Sequence, residues 1–224
     1  KTEVLRKQFR PIMSRYSNIQ HDDQGDAHPG DKMIEKINVF LNRKYRSPQQ
    51  KEFHESFLAS SLRLIYKDDF VKERHRIMEK YKFESRKQQV LVCAPRRMGK
   101  TFSVAYFAIA MAINVPSITI SIFAPGKRQS CALMSHIRDW MKKLDETDRI
   151  MRSNEEKMEV RAVNGAVSRI NAYPSAVKTL KGVNGDIIIL EEMAQIDKAV
   201  LFEVVVPLHQ LDNTCVIGIS TITT

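Results

Sequence analysis

Residues 90 to 101 read Val-Leu-Val-Cys-Ala-Pro-Arg-Arg-Met-Gly-Lys-Thr, an apolar strand running into a tight turn that ends in Gly99-Lys100-Thr101. That is the core of a phosphate-binding loop. Gly99 lets the backbone approach a polyphosphate, and the helix that follows offers free N-terminal amides. Lys100 is placed to reach the β- and γ-phosphates, and Thr101 to put its hydroxyl on Mg²⁺. The loop, Ala94, Pro95, Arg96, Arg97, Met98, Gly99, Lys100 and Thr101, is the expected ATP-binding segment. It departs from the usual pattern once, because Ala94 stands where the first glycine belongs. The setting supports it nonetheless: a continuous apolar run precedes it and an Ala/Met/Phe-rich helix, Phe102 to Asn114, follows.

A site of this kind needs a second strand that ends in carboxylates, one for the metal and one to position the attacking water. Asp186-Ile187-Ile188-Ile189-Leu190-Glu191-Glu192 has that form. Side chains alternate along a strand, so the two glutamates are expected to point different ways. One of them can then serve Mg²⁺ while the other faces the γ-phosphate. As the first acid Glu191 is the expected Mg²⁺ ligand, but it is one methylene longer than the usual aspartate, so ligation through a water is expected ahead of direct ligation.

The 224 residues carry a formal net charge of +10 and are 43% hydrophobic, enough to bury one sizeable α/β core. The basic excess points to a polyanionic partner. The longest apolar run, around Ala105 to Val115, is too short for a membrane span and reads as a core helix. The chain opens on Lys1 without a charged-then-apolar leader, so it is expected to be an excised fragment lacking a targeting signal. Cys93, Cys131 and Cys215 show no metal-ligand spacing and suggest a reducing compartment. Cys93 and Cys215 are expected to pack as small hydrophobes within strands.

Residues 1–85 read as a helical lead-in and residues 86–224 as the nucleotide-binding core. The polar stretch before Asp31 is a loop or arm, and its histidines and acids match no metal-ligand pattern. Asp31 is expected to cap a helix reaching about Tyr45, and Ser47-Pro48-Gln49-Gln50 has the form of a capping box opening the next. A third helix spans Asp69 to about Tyr81. The core then alternates strand 89–94, helix 100–114, strand 117–123 and helix 127–144, which implies parallel pairing with right-handed crossovers. Asn164-Gly165 between two alternating runs signals a hairpin. Strand 186–190, helix 197–211 and strand 214–220 complete it. The expected fold class is α/β: a P-loop NTPase of the RecA-like type, a mainly parallel sheet flanked by helices, with a helical N-terminal segment.

Four pieces together resemble the ATPase domain of the terminase large subunit, the DNA-packaging motor of tailed phages and herpes-type viruses. They are Pro95 to Thr101, Thr179 to Gly185, Ile189 to Ala194, and Ser220-Thr221. The double arginine resembles the herpes-type proteins, while Glu191 in place of Asp is a departure. The resemblance implies that Glu192 polarises the attacking water, that Lys100 and Thr101 hold phosphates and Mg²⁺, and that Arg96 or Arg97 acts as an arginine finger in cis. Ser220 and Thr221 would couple hydrolysis to DNA movement. Arg74, His75 and Arg76 are candidates for an adenine-contacting element, and Lys127, Arg128, Lys178 and Lys181 for DNA phosphates. Implied partners are double-stranded DNA, a portal and procapsid, a small terminase subunit and further copies in a ring, with no membrane. The implied setting is intracellular: host nucleus for a herpes-type virus, bacterial cytoplasm for a phage. The family also carries a nuclease domain, but no acid cluster suited to two metals stands outside the ATPase pair, so nuclease activity is not expected of this segment. The same motifs fit a superfamily-2-like helicase, and a degraded metal ligand at Glu191 fits a non-hydrolysing nucleotide-binding module.

Overall fold

The structure is a computed structural model that describes residues 27–81, 88–174, 184–209 and 213–222. The expectations for the N-terminal arm, for Lys178 and Thr179 to Val183, and for the last residues of the helix read as 197–211 lie outside these.

Four helices come first: α1 (Pro29–Leu41), α2 (Pro48–Ser60), α3 (Leu62–Tyr66) and α4 (Asp69–Lys80). The second opens on the expected capping box, since Ser47 Oγ accepts from the Gln50 backbone and Gln50 Oε1 accepts from the Ser47 N–H at 2.8 Å. At the first helix the sequence reading needs correction. His28 is the cap, its Nδ1 accepting the Gly30 N–H at 3.0 Å. Asp31 instead points inward and accepts hydrogen bonds from the hydroxyls of Tyr66 and Tyr81 (the latter at 2.8 Å), with Arg76 at 2.8 Å and Lys80 at 3.1 Å. Its long-range partners, invisible in local sequence, outcompete the cap role.

The sheet has seven strands: β1 (Gln89–Ala94), β2 (Thr119–Ala124), β3 (Ile150–Ser153), β4 (Lys157–Arg161), β5 (Val167–Pro174), β6 (Ile187–Leu190) and β7 (Cys215–Thr221). Their order is β1-β7-β6-β2-β5-β4-β3. The first five are parallel and the last two antiparallel. Between them run α5 (Lys100–Asn114), α6 (Lys127–Lys143), and a C-terminal helical stretch in which α7 (Lys198–Val200) passes through a π-helical segment, Leu201–Val205, into α8 (Val206–His209). The hairpin forms where Asn-Gly predicts it, with Gly165 at φ +87° and Asn164 Oδ1 accepting the Ala166 N–H. Strand β3 was not legible, because its four residues are largely exposed and carry no clear alternation.

Every residue from Ser103 to Asn114 is buried, so α5 is the centre of the molecule rather than a half-exposed helix. It is apolar on all sides because the sheet lies on one and α1, α2 and α6 on others. Phe107 packs edge-on against Phe57 of α2 with centroids 5.4 Å apart. Truncating a ring buried like this costs about 3–5 kcal/mol. The N-terminal helices and the sheet thus share one hydrophobic cluster. The second face of the sheet carries a smaller cluster, Phe123, Ile188, Leu190, Ile196, Val200, Val205 and Val216.

Strand β1 is the sheet's edge, and this overturns one expectation. Cys93 is exposed, whereas Cys215 in the interior strand β7 is buried. An edge strand leaves alternate side chains uncovered, so its apolar run does not mean burial on both faces.

Candidate active site

Parallel strands bring their carboxyl ends to one edge of a sheet, where such folds place ligands. Here β1 ends at Ala94, β6 at Leu190 and β7 at Thr221, with β7 lying between the other two. The turn after β1 uses two left-handed residues, Arg97 at φ 66° and Gly99 at φ 76°. Gly99 is the N-cap of α5 and is also crowded: a Cβ there would sit 2.2 Å from Gln50 Nε2. The backbone conformation favours glycine, and any Cβ would also force the Gln50 amide, whose Oε1 is held by the Ser47 N–H, to move.

Lys100 is buried, and its ammonium donates to the carbonyls of Ala94 (2.7 Å) and Pro95 (2.9 Å). Its charge is thereby held under the loop. Thr101 Oγ1 donates to Glu191 Oε1 at 3.0 Å, which brings the loop and the acidic strand end together. The other carboxylate oxygen, Glu191 Oε2, is buried without a hydrogen-bond partner. Burial pushes the Glu191 carboxyl up to about 7 against the pull of the Thr101 hydrogen bond, and the neighbouring Glu192 charge adds to the rise. A half-satisfied buried carboxylate beside a threonine hydroxyl is an all-oxygen donor set that a hard divalent cation completes. These two residues fit Mg²⁺.

Glu192 diverges from Glu191, as expected, but by a different route. Strand pairing stops at Leu190, and Glu192 takes a left-handed conformation, φ 48° and ψ 50°, costing about 1–2 kcal/mol. Its carboxylate then accepts the Thr221 N–H at 2.9 Å and the Thr221 hydroxyl. Charge-assisted bonds of this type are worth about 1.5–3 kcal/mol each, enough to hold the strained residue.

The remaining predicted residues scatter. Pro95, Arg96, Arg97 and Met98 are exposed, and neither arginine has a partner among the described residues. Ser220 is buried beside Thr221 and lies opposite Cys93 in the strand register. Arg76 is committed to Asp31 and Glu73, and His75 lies 3.8 Å from Glu79. Lys127 pairs with Glu156 at 3.0 Å.

Two residues behind the loop escaped sequence reasoning. Gln50, whose capping role was legible, also lies against Gly99. His54, one turn on, has Nε2 2.9 Å from the Ser103 carbonyl and Nδ1 2.9 Å from Arg46. Burial pushes its pKa down to about 3, so the ring is neutral; Nδ1 accepts from Arg46 and Nε2–H donates to the helix backbone two residues past Thr101. No local signal marks contacts of this sequence separation.

No protein-family model matches the sequence, and no curated protein matches it. Solved structures do resemble it. The large-terminase ATPase domain of Thermus phage P74-26 superposes with a TM-score of 0.51 at 21% identity, covering 59% of this chain and 58% of that one. The large terminase of bacteriophage HK97 superposes over 85% of this chain and 37% of its own, with a TM-score of 0.61 and 16% identity. The chain has the fold of the phage large-terminase ATPase domains. A third large terminase, from a thermophilic bacteriophage, gives a TM-score of 0.51 at 9% identity over 66% of this chain and 38% of its own. The chain thus spans 58% or less of the length of each of these terminase structures. The mainly parallel sheet flanked by helices that the sequence predicts is thus realised, with the loop strand β1, the Thr221 strand β7 and the acidic strand β6 side by side. Among the described residues no helix is long and apolar enough to cross a membrane, and no cluster of three or more His, Cys, Asp and Glu side chains suits a metal.

Proposed function

We propose that this chain is the ATPase domain of a terminase large subunit, hydrolysing ATP to drive double-stranded viral DNA into a procapsid. The observation that carries the reading is the Thr101–Glu191 hydrogen bond with an orphaned Glu191 oxygen beside it, in a terminase fold. Thr101 and Glu191 are the residues that would hold Mg²⁺, which would neutralise phosphate charge. Lys100 gives up the Ala94 and Pro95 carbonyls for phosphate oxygens. The Gly99 turn and the first amides of α5 cradle the same phosphates. Glu192 orients a water for in-line attack and accepts its proton. Arg96 or Arg97, both exposed at the loop, supplies the finger. Thr221, bonded to Glu192, with Ser220 beneath it, links the state of the nucleotide to the interior strand β7.

By the same reading the chain acts as a ring of copies on a portal, with a small terminase subunit, inside an infected cell. The test is ATP turnover and ATP affinity of the wild type and of Glu192→Gln, with and without duplex DNA. Turnover lost with binding retained supports the motor. Equal turnover in both removes Glu192 as the base and leaves a nucleotide-binding module.

A further inference from the structure

The antiparallel end of the sheet leaves a polar cleft unassigned. It is about 420 Å³ in volume and is lined by Arg152 of β3, Lys157 and Glu159 of β4, and Arg169, Asn171 and Tyr173 of β5, among others. The register explains why these side chains share a face: Arg152 lies opposite Glu159, Glu159 opposite Arg169, and Lys157 opposite Asn171. The alternate residues Met158, Val160, Ile170 and Ala172 are buried beneath the other face. Tyr173 stacks on Phe123 of β2 with centroids 5.5 Å apart, which fixes the inner wall.

Three cations face one carboxylate here. Glu159 lies 4.0 Å from the Arg152 Nε and 3.5 Å from the Arg169 Nε, so a single acid sits between two guanidiniums. Each guanidinium has five N–H donors, and one shared carboxylate leaves most of them unused. Arg152 and Arg169 side chains are 86% and 56% exposed, so these pairs contribute little to stability. Apart from Tyr173 and Met158, the latter buried under the strand, the lining is polar or charged and its cations outnumber its one carboxylate. Arginine forks with Asn and Tyr beside them are the side chains that hold phosphate and sugar oxygens.

We propose that this cleft is a binding site for the phosphate backbone of duplex DNA. The Tyr173 end of the cleft lies at the same sheet edge as the acidic pair, since Tyr173 pairs with Phe123, which pairs with Leu190, the residue before Glu191; from there the cleft runs back along β5 to Arg169, opposite Thr119 at the start of β2. With strands ~4.8 Å apart, β5 runs about 10 Å from β6. The inference rests on the motor reading for its partner, and the contact is independent of base sequence.

The test is binding of a fluorescein-labelled duplex, in two unrelated sequences and without nucleotide, across a salt series. Compared are the wild type, Arg152→Gln/Lys157→Gln/Arg169→Gln, and a control of equal charge change on the exposed residues Lys36→Gln/Lys44→Gln/Lys72→Gln. The cleft variant is expected to lose at least ~10-fold in affinity on both sequences, with a salt slope smaller by about 2–3, while the control stays within about 2-fold. Glu159→Gln, which frees both arginines, is expected to tighten binding by ~2–5-fold and guards against a misfolded triple variant. Equal losses in cleft and control variants reduce the effect to overall charge and overturn the proposal, as does unchanged binding in Glu159→Gln and the cleft variant together. Because no ATP is present, the cleft result stands or falls separately from the Glu192→Gln turnover result.

Discussion

Thr221, the last residue of β7, holds the carboxylate of Glu192 through both its backbone N–H and its hydroxyl. The contact spans β6 and β7, so the residue proposed as catalytic base is anchored to the strand lying between it and the phosphate loop. Thr221→Val keeps the N–H and the shape but deletes the hydroxyl donor. Turnover is expected to fall by ~10-fold or more, the worth of one hydrogen bond to a charged group, with ATP affinity within about 3-fold of wild type. Steady-state kinetics alongside a nucleotide titration reads both; unchanged turnover would show that Thr221 does not set the position of Glu192.

Two glycines of similar backbone conformation should respond differently to alanine. Gly99 (φ +76°) meets Gln50 Nε2, whereas a Cβ on Gly165 (φ +87°) meets nothing within 4 Å. Gly165→Ala is expected to cost only the left-handed strain, about 1 kcal/mol, and to leave ATP binding intact. Gly99→Ala is expected to weaken ATP binding by at least ~10-fold. Thermal melts with and without ATP separate the two, and equal nucleotide-induced stabilisation in both variants would contradict the crowding argument.

Asp31 makes the fold sensitive to strong acid. Burial raises its carboxyl, but the hydrogen bonds from Tyr66, Tyr81, Lys80 and Arg76 prevail and lower it from 3.8 to about 2. The folded value lies below the unfolded one, so the stabilisation is fully present above pH ~4 and is lost as pH falls through about 2; it amounts to about 2 kcal/mol. Asp31→Asn should lower the melting temperature at pH 7 and flatten the stability profile between pH 4 and 2. A profile unchanged by the substitution would remove Asp31 as its source.

His54 acts in a milder window. Its pKa falls from 6.5 to about 3 on folding because burial disfavours the charged ring. Above pH 6.5 both states are neutral and stability is full. Below it the unfolded chain takes up a proton that the folded chain refuses, so stability drops by up to about 1.4 kcal/mol per pH unit until the folded pKa is reached. Chemical denaturation from pH 7 to 4 should show this slope in the wild type and lose it in His54→Gln, which keeps a hydrogen-bonding side chain but cannot titrate. A slope of the same size in His54→Gln would assign it elsewhere.

Short-range pattern along the chain was enough to place four pieces. The Val90 to Thr101 run, the acidic end after Ile187 to Leu190, the Ser47/Gln50 capping box and the Asn164-Gly165 turn each encode a local geometry that few other residues permit, and each forms where the pattern puts it. What those pieces meet was set by how the chain packs in three dimensions. That packing placed β1 at the sheet edge, exposing Cys93; it turned Asp31 from an expected cap into the buried partner of four donors; and it put Gln50 and His54 behind the phosphate loop. It also joined Glu192 to Thr221, 29 residues apart, and Thr101 to Glu191, 90 apart. Contacts at such separations depend on strand order and on which faces are left uncovered, and neither leaves a periodic trace along the chain.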